Sequence, residues 1–477
     1  MTPEGVLNIV NHYKRTNEKE DKTMDEMMMD ENKLKRDFNW KTLLLFAVPT
    51  IALNLWLGVY QLINSAISSS MINTDALAAI DICYPILSVE EGLAAMLGAG
   101  ACAVIGKKLG EGKIKEACSN LTMVTLFGAI ITAVYLALVF VFRTSLLETL
   151  GATQRLMPYC DEYVKVHVIF GVFYMIQTMF QLVLVVAGRP GVGCALTVIA
   201  GVVEIATVYL FIGVFHLGIM GSALGAGCGM LVSVIGSILV LCNKKQELHF
   251  VIPVFSGKDL GKTCWLGVAD LIQSAALGLI TALYNIVSIK YYGETGCAAI
   301  TILLYSQWLF ASSLYGYGKG ISPIISYNLG EKKFDKIKQY IKNGSITIVL
   351  ASVLIFGVAC ILAKPVILMY CPEGSEVYNM TIKVFWIFSL NYLLYGVGTM
   401  VTAIFVALND GIRGTVLATF RTIIFPILIL SFLPMAIGGF TIWIAMPLSE
   451  GLSIILAAFL LWTDRKVLHF NTEPAVE

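Results

Sequence analysis

Eight ionisable side chains interrupt the apolar stretches of this chain: Asp81, Glu90, Glu91, Glu204, Asp270, Lys319, Arg421 and Glu450. A charge in such a run costs about 2.5–3.5 kcal/mol on insertion scales, so each is a candidate for a task. Glu204 lies about 12 residues into the fifth apolar run (192–215), and Glu90 about 12 residues into the second (78–106), entering from the opposite side. At 1.5 Å per residue both lie about 18 Å deep, near mid-membrane. Glu204 and Glu90 can therefore share one site, with Gln177 and Gln181 of the fourth run (160–187) offering amide dipoles one turn apart. Burial beside a second carboxyl disfavours ionisation, which suits a group that takes up a proton on one face and releases it on the other. An ionised Glu204 ringed by Gln177, Gln181, Asn64 and Ser65 would instead hold Na+; both readings stand. Adjacent Glu90 and Glu91 point about 100° apart on a helix, so only one of them faces a given cleft. Asp81 reads as a solvated end residue.

The later charges pair by depth. Arg421 in the eleventh run (413–435) and Glu450 in the twelfth (438–462) both come about 12 Å from the same membrane edge, which predicts an ion pair. Were Arg421 to swing away, Glu450 would attract a cation. Lys319, low in the eighth run (297–326), can snorkel to the surface or pair with Asp270 of the seventh (265–289). Trp308, Tyr305, Tyr315 and Tyr317 offer faces on which flat lipophilic cations stack.

These groups need a membrane to position them. The chain has 477 residues, of which 57% are hydrophobic and 14% charged, with mean hydropathy +0.79. That is more apolar surface than a water-soluble core absorbs. Twelve runs reach the roughly 20 residues that span a bilayer. The expected fold is an all-α membrane protein with twelve transmembrane helices in two parallel, pseudo-symmetric six-helix lobes. One offset carries Ala78-Ala79-Ile80 onto Ala298-Ala299-Ile300, Leu109-Gly110-Glu111 onto Leu329-Gly330-Glu331, and Gly191 onto Gly411. Such constancy across distant marks indicates duplication. Six spans per half return the chain to its starting side, so the repeats run parallel.

The expected segments are a tail at 1–41, an N-lobe at 42–254, a C-lobe at 255–463 and a tail at 464–477. Lysines crowd the loops on the side of the N-terminus, including Lys107, Lys108, Lys113, Lys332 and Lys333, which predicts a cytoplasmic position for both termini. The first tail mixes charges with Met27-Met28-Met29 and holds no signal peptide. Gly221, Gly225 and Gly229 form a packing stripe on the sixth span. A net charge of +1 gives no nucleic-acid surface. Eleven cysteines without a C-x-x-C pair suggest neither disulfide nor metal site. No Walker A, H-E-x-x-H or G-x-S-x-G pattern supports an enzyme.

The segment Lys319-Gly320-Ile321-Ser322-Pro323-Ile324-Ile325-Ser326-Tyr327-Asn328-Leu329-Gly330 resembles the Q-G-x-x-P-x-x-x-Y-N-x-G of the multidrug and toxic compound extrusion (MATE) family. Asp75-Ala76-Leu77-Ala78-Ala79, Ala187-Gly188-Arg189-Pro190, and Arg421 with Pro426 add to the likeness, which runs from about Phe46 to Trp462. It implies two lobes around a cleft that opens alternately to either face. The expected function is secondary active export of amphipathic, cationic organic compounds in exchange for H+ or Na+, by a monomer in a bacterial-type inner membrane. No cofactor beyond the ion gradient is expected. Two departures bear on coupling: Asn64 stands where family members commonly hold Asp, and Glu204 and Val208 stand where many have Asn and Asp. The rival expectation is a flippase for lipid headgroups or lipid-linked precursors.

Overall fold

Backbone groups in a bilayer must bond within their own segment, so apolar runs of this length form helices. The computed structural model describes residues 37–463 except 73, 151 and 153; the side chains at 61, 62, 65, 66, 68–70, 74–78, 81 and 294 also lie outside the described residues. The expectations for both tails, and for the Ser65 and Asp81 side chains, therefore fall outside them. Twelve helices are long and apolar enough to cross a membrane. In the first half they are α1 (Trp40–Met71), α2 (Thr74–Gly110), α3 (Ile114–Thr149), α4 (Met157–Val186), α5 (Pro190–Tyr209, continued by a π turn at Leu210–Val214) and α6 (Gly218–Leu241).

The second half repeats the set. It comprises α7 (Gly257–Gly293), α8 (Thr295–Gly330), α9 (Phe334–Leu368), α10 (Glu376–Ala407), α11 (Gly411–Ala436) and α12 (Thr441–Thr463). A π turn at Phe420–Ile424 interrupts α11. The sequence suggests a loop between α7 and α8, but the helix runs on from Gly257 to Gly330 and bends only at Gly293 (φ 63°, ψ −156°). That backbone setting suits glycine alone, so the reversal needs no loop.

The duplicated Leu-Gly-Glu marks meet face to face. A Cβ on Gly110 would lie 1.9 Å from the Tyr327 carbonyl oxygen, and one on Gly330 would lie 2.0 Å from that of Lys107. Equivalent residues touching each other's equivalents lie on a two-fold axis, here the pseudo-axis of the repeat. The same reciprocity recurs deeper: α2 crosses α7 at Gly100 and Thr263, and α8 crosses α1 at Gly320 and Ala47. Lys108 and Asp259 close the same edge with an ion pair at 2.7 Å.

These contacts all lie in the half of the molecule nearest the basic hairpins. There one apolar core runs through both lobes, from Leu97 and Ile105 to Ile321 and Ile324. In the far half the core divides, one part around Ile86, Val139 and Tyr163, the other around Tyr284, Phe388 and Trp443. The lobes are thus sealed on the hairpin face and parted on the far face.

Candidate functional site

Glu204 of α5 accepts a hydrogen bond of 2.6 Å from the Asn64 amide of α1. A bond this short to a carboxylate belongs to the strong, charge-assisted kind. The glycine stripe of α6 makes the space: a Cβ on Gly229 would meet the Glu204 Cβ at 2.8 Å, and one on Gly225 would meet Val208 at 2.4 Å. The stripe is therefore the α5–α6 packing face. Thr207 Oγ1 donates to the Glu204 and Gly225 carbonyls, each at 3.1 Å, and ties α5 to α6 just before the π turn. Asn64 Oδ1 and Gln177 Oε1 are buried without a hydrogen-bond partner among the described residues. Gln181, one turn from Gln177, is half-buried.

Glu90 and Glu91 diverge as adjacent helical residues must. Glu90 is 0% exposed and meets His167 Nε2 of α4 at 2.8 Å. Tyr163 stacks on that imidazole at 6.2 Å, and Gly171 leaves room for the carboxylate. The expected Glu90–Glu204 partnership is not a direct one: no hydrogen bond joins them among the described residues, because Glu204 engages α1 while Glu90 engages α4. Glu91 is half-buried and turns toward the cleft. Its charge reaches the phenols of Tyr60, Tyr84 and Tyr174 in its own lobe, and Tyr315 across the cleft.

In the second lobe, Arg421 Nε donates to both Glu450 oxygens, at 3.0 and 2.8 Å. The guanidinium lies 4.6 Å from the Tyr395 ring centroid, and Gly398 opens the space beside the pair. Lys319 does not snorkel away; it forms an ion pair with Asp270, which also accepts from the Tyr315 hydroxyl at 3.4 Å. Both groups line a small cavity between the lobes together with Gln273 and Thr399. Trp308 is 45% exposed, Tyr305 stacks on Tyr370 at 6.0 Å, and Tyr317 is buried in the shared core.

His167, Tyr60, Tyr84, Tyr174 and Tyr395 escaped the sequence reading. A histidine inside an apolar run was a usable signal, since its polar ring must find a partner there. Tyr84 and Glu91, two helical turns apart, were another. The remaining tyrosines come together only through the fold.

The family model described as MatE matches this chain twice, over residues 49–210 and 271–430, once in each repeat. The probable multidrug resistance protein YoeA of Bacillus subtilis is 22% identical over 413 residues, covering 83% of this chain and 87% of that protein. The multidrug export protein MepA of Staphylococcus aureus is 21% identical over 449 residues, covering 92% and 97%. Among solved structures, an outward-facing multidrug resistance MATE family transporter of the MOP superfamily superposes with TM-score 0.83 at 18% identity, over 92% of this chain and 98% of that one. A MOP superfamily transporter from Pyrococcus furiosus, described as having a binding pocket of reverse polarity, gives 0.82 at 18%, over 93% and 98%. With two matched segments that together cover most of its length, the chain belongs to the MatE family.

Proposed function

We propose that this protein is a secondary active exporter of amphipathic organic cations, exchanging them for H+ or Na+ as its two lobes rock about the cleft. The observation that carries this reading is Glu204: a carboxyl group inside the first lobe, held by the neutral amide of Asn64. A carboxyl so placed changes its charge or its ion with modest cost in either direction. The names of the relatives YoeA and MepA supply the drug-export side of the reading. The lysine-rich hairpin face is the cytoplasmic one by the positive-inside rule, which puts the parted face outside, in the plasma membrane. One charge moved down 100 mV yields about 2.3 kcal/mol, so one or two ions drive a substantial uphill ratio.

The acid partners of Lys319 and Arg421 leave the cleft without a free basic lining of the kind a lipid-phosphate flippase would use, and this favours the cation reading. The test is efflux of ethidium from proteoliposomes under an imposed pH gradient or an imposed sodium gradient. One of the two should energise efflux; if neither does, the antiport reading fails.

A further inference from the structure

We propose that Glu91, with Tyr60, Tyr84, Tyr174 and Tyr315, forms the site that recognises the positive charge of the transported compound, and that its ligands are delocalised or quaternary organic cations rather than metal ions. The inference rests on the export reading above and gives it a place and a chemistry. Glu91 has no hydrogen-bond or ion-pair partner among the described residues, unlike Glu90, Glu204, Asp270 and Glu450. Every other acid named here is already answered by an imidazole, an amide, an ammonium or a guanidinium. Glu91 is answered only by phenols, on α1, α2, α4 and α8, within reach of its charge.

All five side chains are half-buried, so they line the cleft and do not fill the core. Tyr315 comes from the second lobe and the other three from the first, so the group straddles the gap that must open and close. A carboxylate surrounded by aromatic rings suits a large, weakly hydrated cation: the ring faces attract the spread charge and the carboxylate neutralises it. A small metal ion would ask instead for several oxygen ligands at short range. Tyr315 also donates to Asp270, the partner of Lys319. A bound cation is thereby linked to the second-lobe ion pair through one phenol.

The experiment is titration of the purified full chain in nanodiscs with ethidium, followed by fluorescence anisotropy, and competition with tetraphenylphosphonium. Glu91→Gln should weaken both ligands by about tenfold or more, while Tyr174→Phe stays within about threefold and Tyr174→Leu loses about tenfold, since only leucine removes the ring face. Size-exclusion profiles identify any variant that fails to fold, and Tyr84→Phe against Tyr84→Leu then gives the same comparison on another helix. Wild-type affinity in a folded Glu91→Gln protein overturns the proposal and leaves the export reading standing, as does equal loss in the Phe and Leu variants. Failure of the wild type to bind either cation overturns both. Loss of gradient dependence in Glu91→Gln with unchanged ethidium affinity would make Glu91 a coupling residue and refute its role in recognition.

Discussion

Asn64 and Glu204, separated by 140 residues in sequence, are joined by one hydrogen bond of 2.6 Å between α1 and α5. The amide favours the ionised carboxylate, because it donates to the charged form. Its removal should therefore read out the coupling ion. With Asn64→Leu, a proton-coupled carrier reaches half-maximal ethidium efflux at a pH about one unit higher, since protonation becomes easier; a sodium-coupled carrier needs about tenfold more sodium, since the carboxylate loses a supporting contact. Unchanged pH and sodium dependence would remove Asn64 from the ion site.

The mutual approach of Gly110 and Gly330 leaves no room for side chains on the hairpin face. Gly330→Ala should drive the hairpins apart, because its Cβ would meet the Lys107 carbonyl oxygen at 2.0 Å. With Cys102 kept as the sole cysteine, maleimide labelling of that buried thiol should become several-fold faster than in the parent. Equal rates would show that the glycine contact does not hold the seal.

Glu111 and Lys113 in the first hairpin lie outside the spans and join at 2.9 Å. Burial works against the Glu111 charge, but the bond and charge of Lys113, with Lys107 and Lys262, hold the carboxyl below its ordinary value. Lys113 is held above its own ordinary value, first by its bond to Glu111 and then by that carboxylate's charge. The carboxylate's contribution is present above about pH 4.5 and lost as pH falls through the lower folded value; the ammonium's is lost only as pH rises beyond the ordinary lysine range. Between about pH 5 and 9 the hairpin pair is constant. Glu111→Gln should thus leave the pH profile of efflux unchanged in shape, and an altered profile over that range would place a proton-linked step at the hairpin.

Arg421 and Glu450 are buried together in the second lobe. Glu450→Ala strands a guanidinium that cannot deprotonate and should cost about 3–5 kcal/mol, read as a lower melting temperature in detergent. The double change Arg421→Met with Glu450→Met should recover most of that loss. A stable Glu450→Ala protein would mean that the pair is not the anchor its geometry implies.

The architecture was legible because lipid imposes a strong rule: apolar runs become helices, and a constant offset between marks such as Leu109-Gly110-Glu111 and Leu329-Gly330-Glu331 sets their symmetry. Depth reasoning also brought Arg421 to Glu450 and Lys319 to Asp270, since a buried charge seeks an opposite charge at its own level. It failed to separate Glu90 from Glu204, which lie at similar depth but face different helices; depth is one coordinate, and the rotation of each helix is another. His167 and the tyrosines around Glu91 were hidden for the same reason. The continuous helix across Gly293 was hidden because a single left-handed glycine can replace a loop.

The most direct test of the account is Glu204→Gln in proteoliposomes, with ethidium efflux driven by an imposed pH or sodium gradient and protein content matched to wild type. The amide can neither take up a proton nor balance a sodium ion, so gradient-driven efflux should fall to the level of empty liposomes. Efflux at the wild-type rate at several pH values would contradict the assignment of Glu204 as the coupling group.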